Sequence, residues 1–351
     1  MRKCMTIAAV AAVIFAGISG AQAQVSPGDM NCDGTVDGLD IPLFVDCVLN
    51  GNCDHCGVVI DTITAGNPGN ANDTLSDGYG GVAYTYNIGK YEVTAGQYTA
   101  FLNAVAAMDT YGLYSASMDS SAAGCQITQH GSSGSYWYDF SGGTVEVPGS
   151  TAADWADRPV NYVSWGDAAR FANWLHNGQP RGAQDLTTTE DGSYYLDGAT
   201  SSAELLAITR EPDATWVIPS EDEWYKAAYH KNDGDTGNYW YYPTSSDSVP
   251  SNDLIDPDPG NNATFNDGGY TIGSPYYRTE VGAHENSDSP YGTLDQGGNV
   301  WEWNEAVIVS YRGLRGGSFY GYGYDLPAAN RHYHYPSSED SDFGFRVAEV
   351  P

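Results

Sequence analysis

Residues 291 to 303 read Tyr291-Gly292-Thr293-Leu294-Asp295-Gln296-Gly297-Gly298-Asn299-Val300-Trp301-Glu302-Trp303. Three glycines, an Asn and two carboxylates sit among aromatic and apolar side chains, without helical or alternating periodicity. Acids in a Trp-rich segment need a cation or donors nearby, since an uncompensated buried charge is costly. The stretch therefore reads as an irregular, tied-down loop running into an apolar core.

The surroundings are of the same kind. From Gly57 onward glycine, Asn, Asp and aromatic residues dominate, and only three segments carry helical periodicity. In Ala95 to Ala107, Tyr98, Phe101, Leu102 and Val105 recur at i, i+3, i+4 and i+7. In Trp165 to His176, Ala168, Ala169, Phe171, Ala172 and Leu175 do so. Ser220 to His230 opens with Pro219 and the capping-box pair Ser220 and Glu223. The rest reads as short strands and long loops. Such loops are uncommon in compact domains unless functional or tied down, and calcium is one means of tying them.

The amino end has a different character. Met1-Arg2-Lys3 is basic, and an apolar run from about Thr6 to Gly20 ends in Ala21-Gln22-Ala23, so residues 1–23 read as a cleaved signal peptide and the chain as secreted. The run is too short to span a membrane, and no later segment is longer. Of 14 basic residues, 12 remain without Arg2 and Lys3, against 45 acidic ones, a formal charge of −33. Such a chain repels phosphate backbones, which excludes nucleic acid as a partner. Its 13% aromatic and 41% hydrophobic content argues for a folded core rather than disorder. In an oxidising compartment Cys32, Cys47, Cys53 and Cys56 suggest two disulfides of open pairing, with Cys125 left over.

Residues 24–56 form a separate segment. Asp29, Asn31, Asp33, Asp37 and Asp40 occupy positions 1, 3, 5, 9 and 12 of a twelve-residue loop, Gly34 sits at position 6, and Thr35 offers its carbonyl. That is the spacing calcium requires of hard oxygen ligands. Asp40 in place of glutamate, followed by Ile41, Phe44, Val45, Val48 and Leu49 at helical spacing, resembles one repeat of a type I dockerin. A complete dockerin has two repeats and this segment has one, so a cohesin-like partner would need a second half.

Six motifs in the remaining 57–351 carry a second resemblance. Tyr91-Glu92-Val93-Thr94, Arg158-Pro159-Val160-Asn161 through Trp165, and Ile218-Pro219-Ser220 through Trp224 come first. The stretch 291–303, Arg315-Gly316-Gly317-Ser318 and Asp342-Phe343-Gly344-Phe345-Arg346 follow. Their order resembles that of formylglycine-generating-enzyme (sulfatase-modifying factor) domains. The resemblance implies an α+β, irregular C-type-lectin-like fold with few short helices and strands, and bound calcium. It places one calcium site at Asp295, the carbonyls of Gly298 and Val300, and Glu302, with an Arg partner for Glu302 as the alternative. A second would be Asn262, the carbonyl of Ala263, and Asp267.

The catalytic feature of the aerobic family members is a cysteine pair that holds copper(I), shortly after Gly-Gly-Ser. Here Gly321 and about Leu326 stand there, and no cysteine follows Cys125. Neither side chain binds a soft ion, so copper-dependent oxidation of a substrate cysteine is not expected. The resemblance leaves a pocket rimmed by Trp301, Ser318, Tyr320, Tyr322, Tyr324, Arg331, Asp342 and Arg346, of a kind suited to glycans or extended peptides. The sequence thus reads as a secreted calcium-binding scaffold. The alternative is a divergent oxidoreductase with a relocated metal site at His332 and His334, two residues apart and hence on one face of a strand. A Ser318 triad lacks a nucleophile elbow.

Overall fold

The computed structural model describes residues 57–74, 78–141 and 152–351. The signal peptide at 1–23, the loop from Asp29 to Asp40, and Cys32, Cys47, Cys53 and Cys56 lie outside them. The architecture is α+β with short elements throughout. Ten strands run as β1 Thr62–Ala65, β2 Tyr86–Gly89, β3 Thr128–His130, β4 Trp137–Asp139, β5 Trp216–Val217, β6 Trp301–Ile308, β7 Tyr311–Arg315, β8 His332–His334, β9 Phe343–Gly344 and β10 Ala348–Glu349. The three helices of nine residues or more are α1 Ala95–Val105, α2 Trp165–His176 and α3 Glu221–Tyr229. Among the described residues no helix is long and apolar enough to cross a membrane.

Each helix starts at a reciprocal cap. Thr94 with Gln97, Ser164 with Asp167 and Ser220 with Glu223 exchange side-chain and backbone hydrogen bonds, satisfying donors that a first turn leaves open. Ser220 and His230 are thus caps rather than helical residues, and α1 stops at Val105 because Ala106 leaves the helical region at φ −107° and ψ 29°. The faces foreseen from spacing are buried. Tyr98, Phe101, Phe171 and Trp174 interlock at centroid distances of 5.2 to 6.2 Å, and Phe345 closes the cluster 5.4 Å from Phe171.

Two four-stranded sheets flank this core, in the orders β1-β2-β10-β5 and β8-β7-β6-β9. In the first, β10 lies between partners remote in sequence, with Ala348 opposite both Ile88 and Val217. In the second, β6 pairs antiparallel with β7 and parallel with β9, so that Trp301 faces Phe343. α2 and α3 both pack on β6, which the stretch 291–303 enters.

Candidate functional site

The loop before β6 is held by backbone contacts that a side chain would block. Gly298 has φ 91°, and a Cβ there would sit 2.1 Å from the Thr264 carbonyl oxygen, a position only glycine tolerates. Gly298 N–H donates to the Gly316 carbonyl, and Phe319 N–H to the Asn299 carbonyl, each at 2.9 Å. The Gly-Asn-Val-Trp stretch and the Gly-Gly-Ser stretch are thereby sewn together.

Ser318 lies at this seam, fully buried. Its hydroxyl donates to Asp342 Oδ2 at 2.8 Å and accepts from Gly321 N–H at 3.2 Å. Burial pushes the Asp342 carboxyl up to about 6, opposed by the Ser318 bond. No histidine hydrogen-bonds Ser318 among the described residues, so it has no triad. Gly321 and Leu326, expected from the resemblance to stand at about the positions of the cysteine pair, carry no thiol. A Cβ on Gly321 would meet Asp325 Oδ2 at 2.8 Å. Leu326 is buried in an apolar cluster with Tyr242, Ala263 and Phe265.

Around the seam the tyrosines turn outward. Tyr320, Tyr322 and Tyr324 are 63%, 50% and 69% exposed. Tyr322 and Tyr324 stack at 5.4 Å and 26°, and Tyr270, absent from the sequence expectation, stands 6.4 Å from Tyr320. Asp325 supports the turn by accepting Tyr322 N–H at 2.9 Å and Asn330 Nδ2 at 3.2 Å. Tyr270 with Tyr320 and Tyr322 with Tyr324 thus give two exposed aromatic pairs, three of the four rings in the turn that follows buried Ser318. Two expected rim residues are elsewhere. Arg346 is fully buried and points into the core, because Glu302 holds it there. Arg331 is bound to Glu221 and lies over Tyr79. Trp301 is mostly buried, its ring 5.1 Å from His332.

His332 and His334 do share a face of β8, as alternation requires, but their rings pack on Trp301 and on Phe343 at 5.3 Å. Among the described residues no three His, Cys, Asp or Glu side chains cluster closely enough to hold a metal. Cys125 is a buried thiol whose titration burial pushes up.

The oxygen donors expected to hold calcium are distributed unevenly. Asp295 Oδ2 accepts Gly282 N–H at 2.5 Å, and burial pushes its carboxyl up to about 6. Glu302 is engaged on both oxygens, by Arg346 Nε at 2.6 Å, Arg346 Nη2 at 2.7 Å and Trp224 Nε1 at 2.7 Å. Beside them Glu92 is buried, and neither of its carboxylate oxygens meets a donor from another residue. Hard oxygens with uncompensated negative charge fit a cation such as calcium. At the second expected site, buried Asn262 donates its amide to Asp258 Oδ1 at 2.5 Å, whereas Asp267 is exposed in a turn closed by its own N–H to the Gly269 carbonyl. Asp258 also accepts from Gly260 N–H, Asn286 N–H and the Ser287 hydroxyl, so donors satisfy it without a cation.

Comparison with known proteins adds the following. The family model described as "Sulfatase-modifying factor enzyme 1-like domain" matches residues 81–350. Among solved structures the chain is similar to CarF, with 21% identity and a TM-score of 0.49 over 84% of this chain and 99% of that one. It is also similar to Treponema denticola variable protein 1, with 19% identity and a TM-score of 0.42 over 83% and 95%. For PvdO from Pseudomonas aeruginosa the figures are 16%, 0.42, 84% and 93%. No curated protein matches the chain.

Proposed function

Since the chain belongs to the sulfatase-modifying factor enzyme 1-like domain family, we propose that it keeps the family's C-type-lectin-like scaffold for binding rather than for cysteine oxidation. In this reading it is a secreted, calcium-stabilised protein whose aromatic face holds a glycan. The observation that carries the reading is the exchange at the centre. Where the family resemblance places two thiols, Gly321 packs against Asp325 and Leu326 is buried, while Tyr320, Tyr322 and Tyr324 stand exposed beside them.

The chemistry suits a sugar. A pyranose ring lays its apolar C–H face on an aromatic ring and turns its hydroxyls to carboxylates and amides at the edge. The Tyr322 and Tyr324 pair supplies the platform, and Asp325, Asp342 and Asn330 supply polar edges. Calcium in the amino-terminal loop and beside Asp295 would hold irregular backbone in place. It is not asked to act on the ligand.

The test is glycan binding by the mature chain, with Tyr322→Ala and Tyr324→Ala compared against wild type at equal thermal stability. Loss on the order of ten-fold per ring is expected, equivalent to roughly 1.4 kcal/mol. Unaltered glycan binding would move the ligand site elsewhere, and capture of extended peptides alone would replace the glycan by a peptide. Formylglycine appearing in a Cys-x-Pro-x-Arg peptide incubated with the protein, copper and oxygen would refute the reading.

A further inference from the structure

Asn266 stands between the two exposed aromatic pairs. Its backbone pairs antiparallel with Tyr270 on one side and parallel with Tyr322 on the other, and its N–H donates to the Gly321 carbonyl at 2.8 Å. Residues directly opposite one another in such pairings turn their side chains to the same face. Tyr270, Asn266 and Tyr322 therefore form a row across three short backbone segments, with the tyrosines two strand spacings apart, about 10 Å.

Both ends of the row are braced. Tyr270 meets Tyr277 edge to face at 5.3 Å and has Tyr320 beside it at 6.4 Å. Tyr322 stacks with Tyr324 at 5.4 Å. Gly323 between them lies so close to Phe265 and Val249 that a Cβ would meet their side chains at 3.2 and 3.3 Å. The middle is open. Asn266 is half-buried, and among the described residues its side-chain amide makes no hydrogen bond. An amide offers two donors and an acceptor, and one left free between two aromatic platforms is placed to meet the hydroxyls of a molecule lying across both.

Resting on the reading that the exposed tyrosines hold a glycan, we propose that this row is an extended site with Asn266 as its central, specificity-determining residue. Its ligand is a neutral, linear oligosaccharide of at least three units. One pyranose cannot lie on rings about 10 Å apart, so the two platforms take different sugar units and Asn266 bonds hydroxyls of the unit between them. Asp267 follows Asn266 in the chain and Asp325 accepts the Tyr322 N–H, so carboxylates border the row in a protein of net charge −31. That field works against sulfated and uronic sugars. An extended peptide fits less well, because the Asn266 backbone is paired on both sides and leaves no edge there for a strand to join.

The experiment titrates the full mature chain by calorimetry with neutral β-linked glucose, xylose and N-acetylglucosamine oligomers of one to six units, and with sulfated and uronate oligomers as the anionic arm. Affinity for a neutral series is expected to rise on the order of ten-fold or more from monomer to trimer and then level off. Tyr270→Ala, or Tyr320→Ala should the first not fold, is expected to bring the trimer down toward the monomer. Asn266→Ala is expected to weaken trimer binding about ten-fold with no change in melting temperature. Affinity that is independent of length yet lost in Tyr322→Ala would keep the glycan reading and overturn the extended site. Trimer binding unchanged in either Tyr270→Ala or Asn266→Ala would overturn it as well, and tighter binding of the anionic arm would overturn the assigned charge. If no oligomer binds, or only extended peptides do, the glycan reading fails first and the extended site with it.

Discussion

Glu302 and Arg346 lie 44 residues apart in the chain and meet in parallel fork geometry, Nε to Oε2 at 2.6 Å and Nη2 to Oε1 at 2.7 Å, both shut off from solvent. Such a pair fixes how β6 and the last strands sit against each other. Its energetic weight lies chiefly in what happens when one member is removed.

Arg346→Gln leaves three acids without their cation and is expected to destabilise the domain by about 3–5 kcal/mol. Glu302→Gln is expected to cost less, because Glu92 and Asp295 still face the guanidinium. Urea denaturation in chelator checks the order. Equal losses would mean that Glu92 and Asp295 do not share in compensating Arg346.

Stability should respond to pH in an unusual direction when calcium is removed. Burial raises Glu92 well above its ordinary range and pushes Asp167 to about 8 and Asp295 to about 6. A raised carboxyl binds its proton in the folded state first, so its contribution is complete below the unfolded value near 4 and is lost as pH rises through the folded value. His230, His284 and His332 are lowered by burial and oppose this below about pH 6.5, and Lys226, lowered by burial to about 8, opposes it in part near the upper end of the window. Urea midpoints in chelator should therefore rise from about pH 8.5 to about pH 6.5. Glu223 and Asp258, held low by hydrogen bonds and, for Glu223, by Arg210, add their own loss only in stronger acid.

Restoring the thiol pair should not restore a metal-binding site. Leu326→Cys removes a side chain buried against Tyr242, Ala263 and Phe265, with an expected cost of about 2 kcal/mol. Gly321→Cys forces its Cβ against Asp325. The double variant is expected to melt lower and to bind copper(I) no better than wild type in a chelator competition. Tight copper binding would show that the backbone there still holds the geometry.

Phe171→Ala opens the aromatic cluster of α1 and α2 at its centre, where four rings lie within 6.2 Å of it. The expected loss is about 3–5 kcal/mol. Ser164→Ala, which removes one cap of α2, should cost about 1 kcal/mol. Denaturant midpoints of the two variants separate core from cap.

Much of the fold could be read from local pattern. The span of α2 matches its apolar spacing, and Ser220 with Glu223 marks the start of α3. Ser164 with Asp167 carries the same kind of signal in a shorter form, aspartate standing where glutamate or glutamine is usual. Pairings across the chain leave no local trace. Glu302 with Arg346, and Arg170 with Glu190 at 2.7 Å, are visible only once strands and loops are assembled. The aromatic face illustrates the same limit. Tyr225 and Tyr229 are buried while Tyr322 and Tyr324 are exposed, and nothing in residue type separates them. Glu92 did carry a faint signal, an acid beside Val93 in an otherwise buried run. Its meaning depended on neighbours 200 residues away.

The place of β10 has a consequence for biosynthesis. Ala348 and Glu349 bridge β2 and β5, so the first sheet has no continuous middle until those residues are available. The first sheet cannot close before Ala348 and Glu349 are in place, because β2 and β5 pair with β10 and not with each other. Closure of that sheet therefore follows synthesis of its last strand rather than of its first, and a fragment ending before residue 340 should leave β2 and β5 unbridged and open to protease however many of its helices have formed.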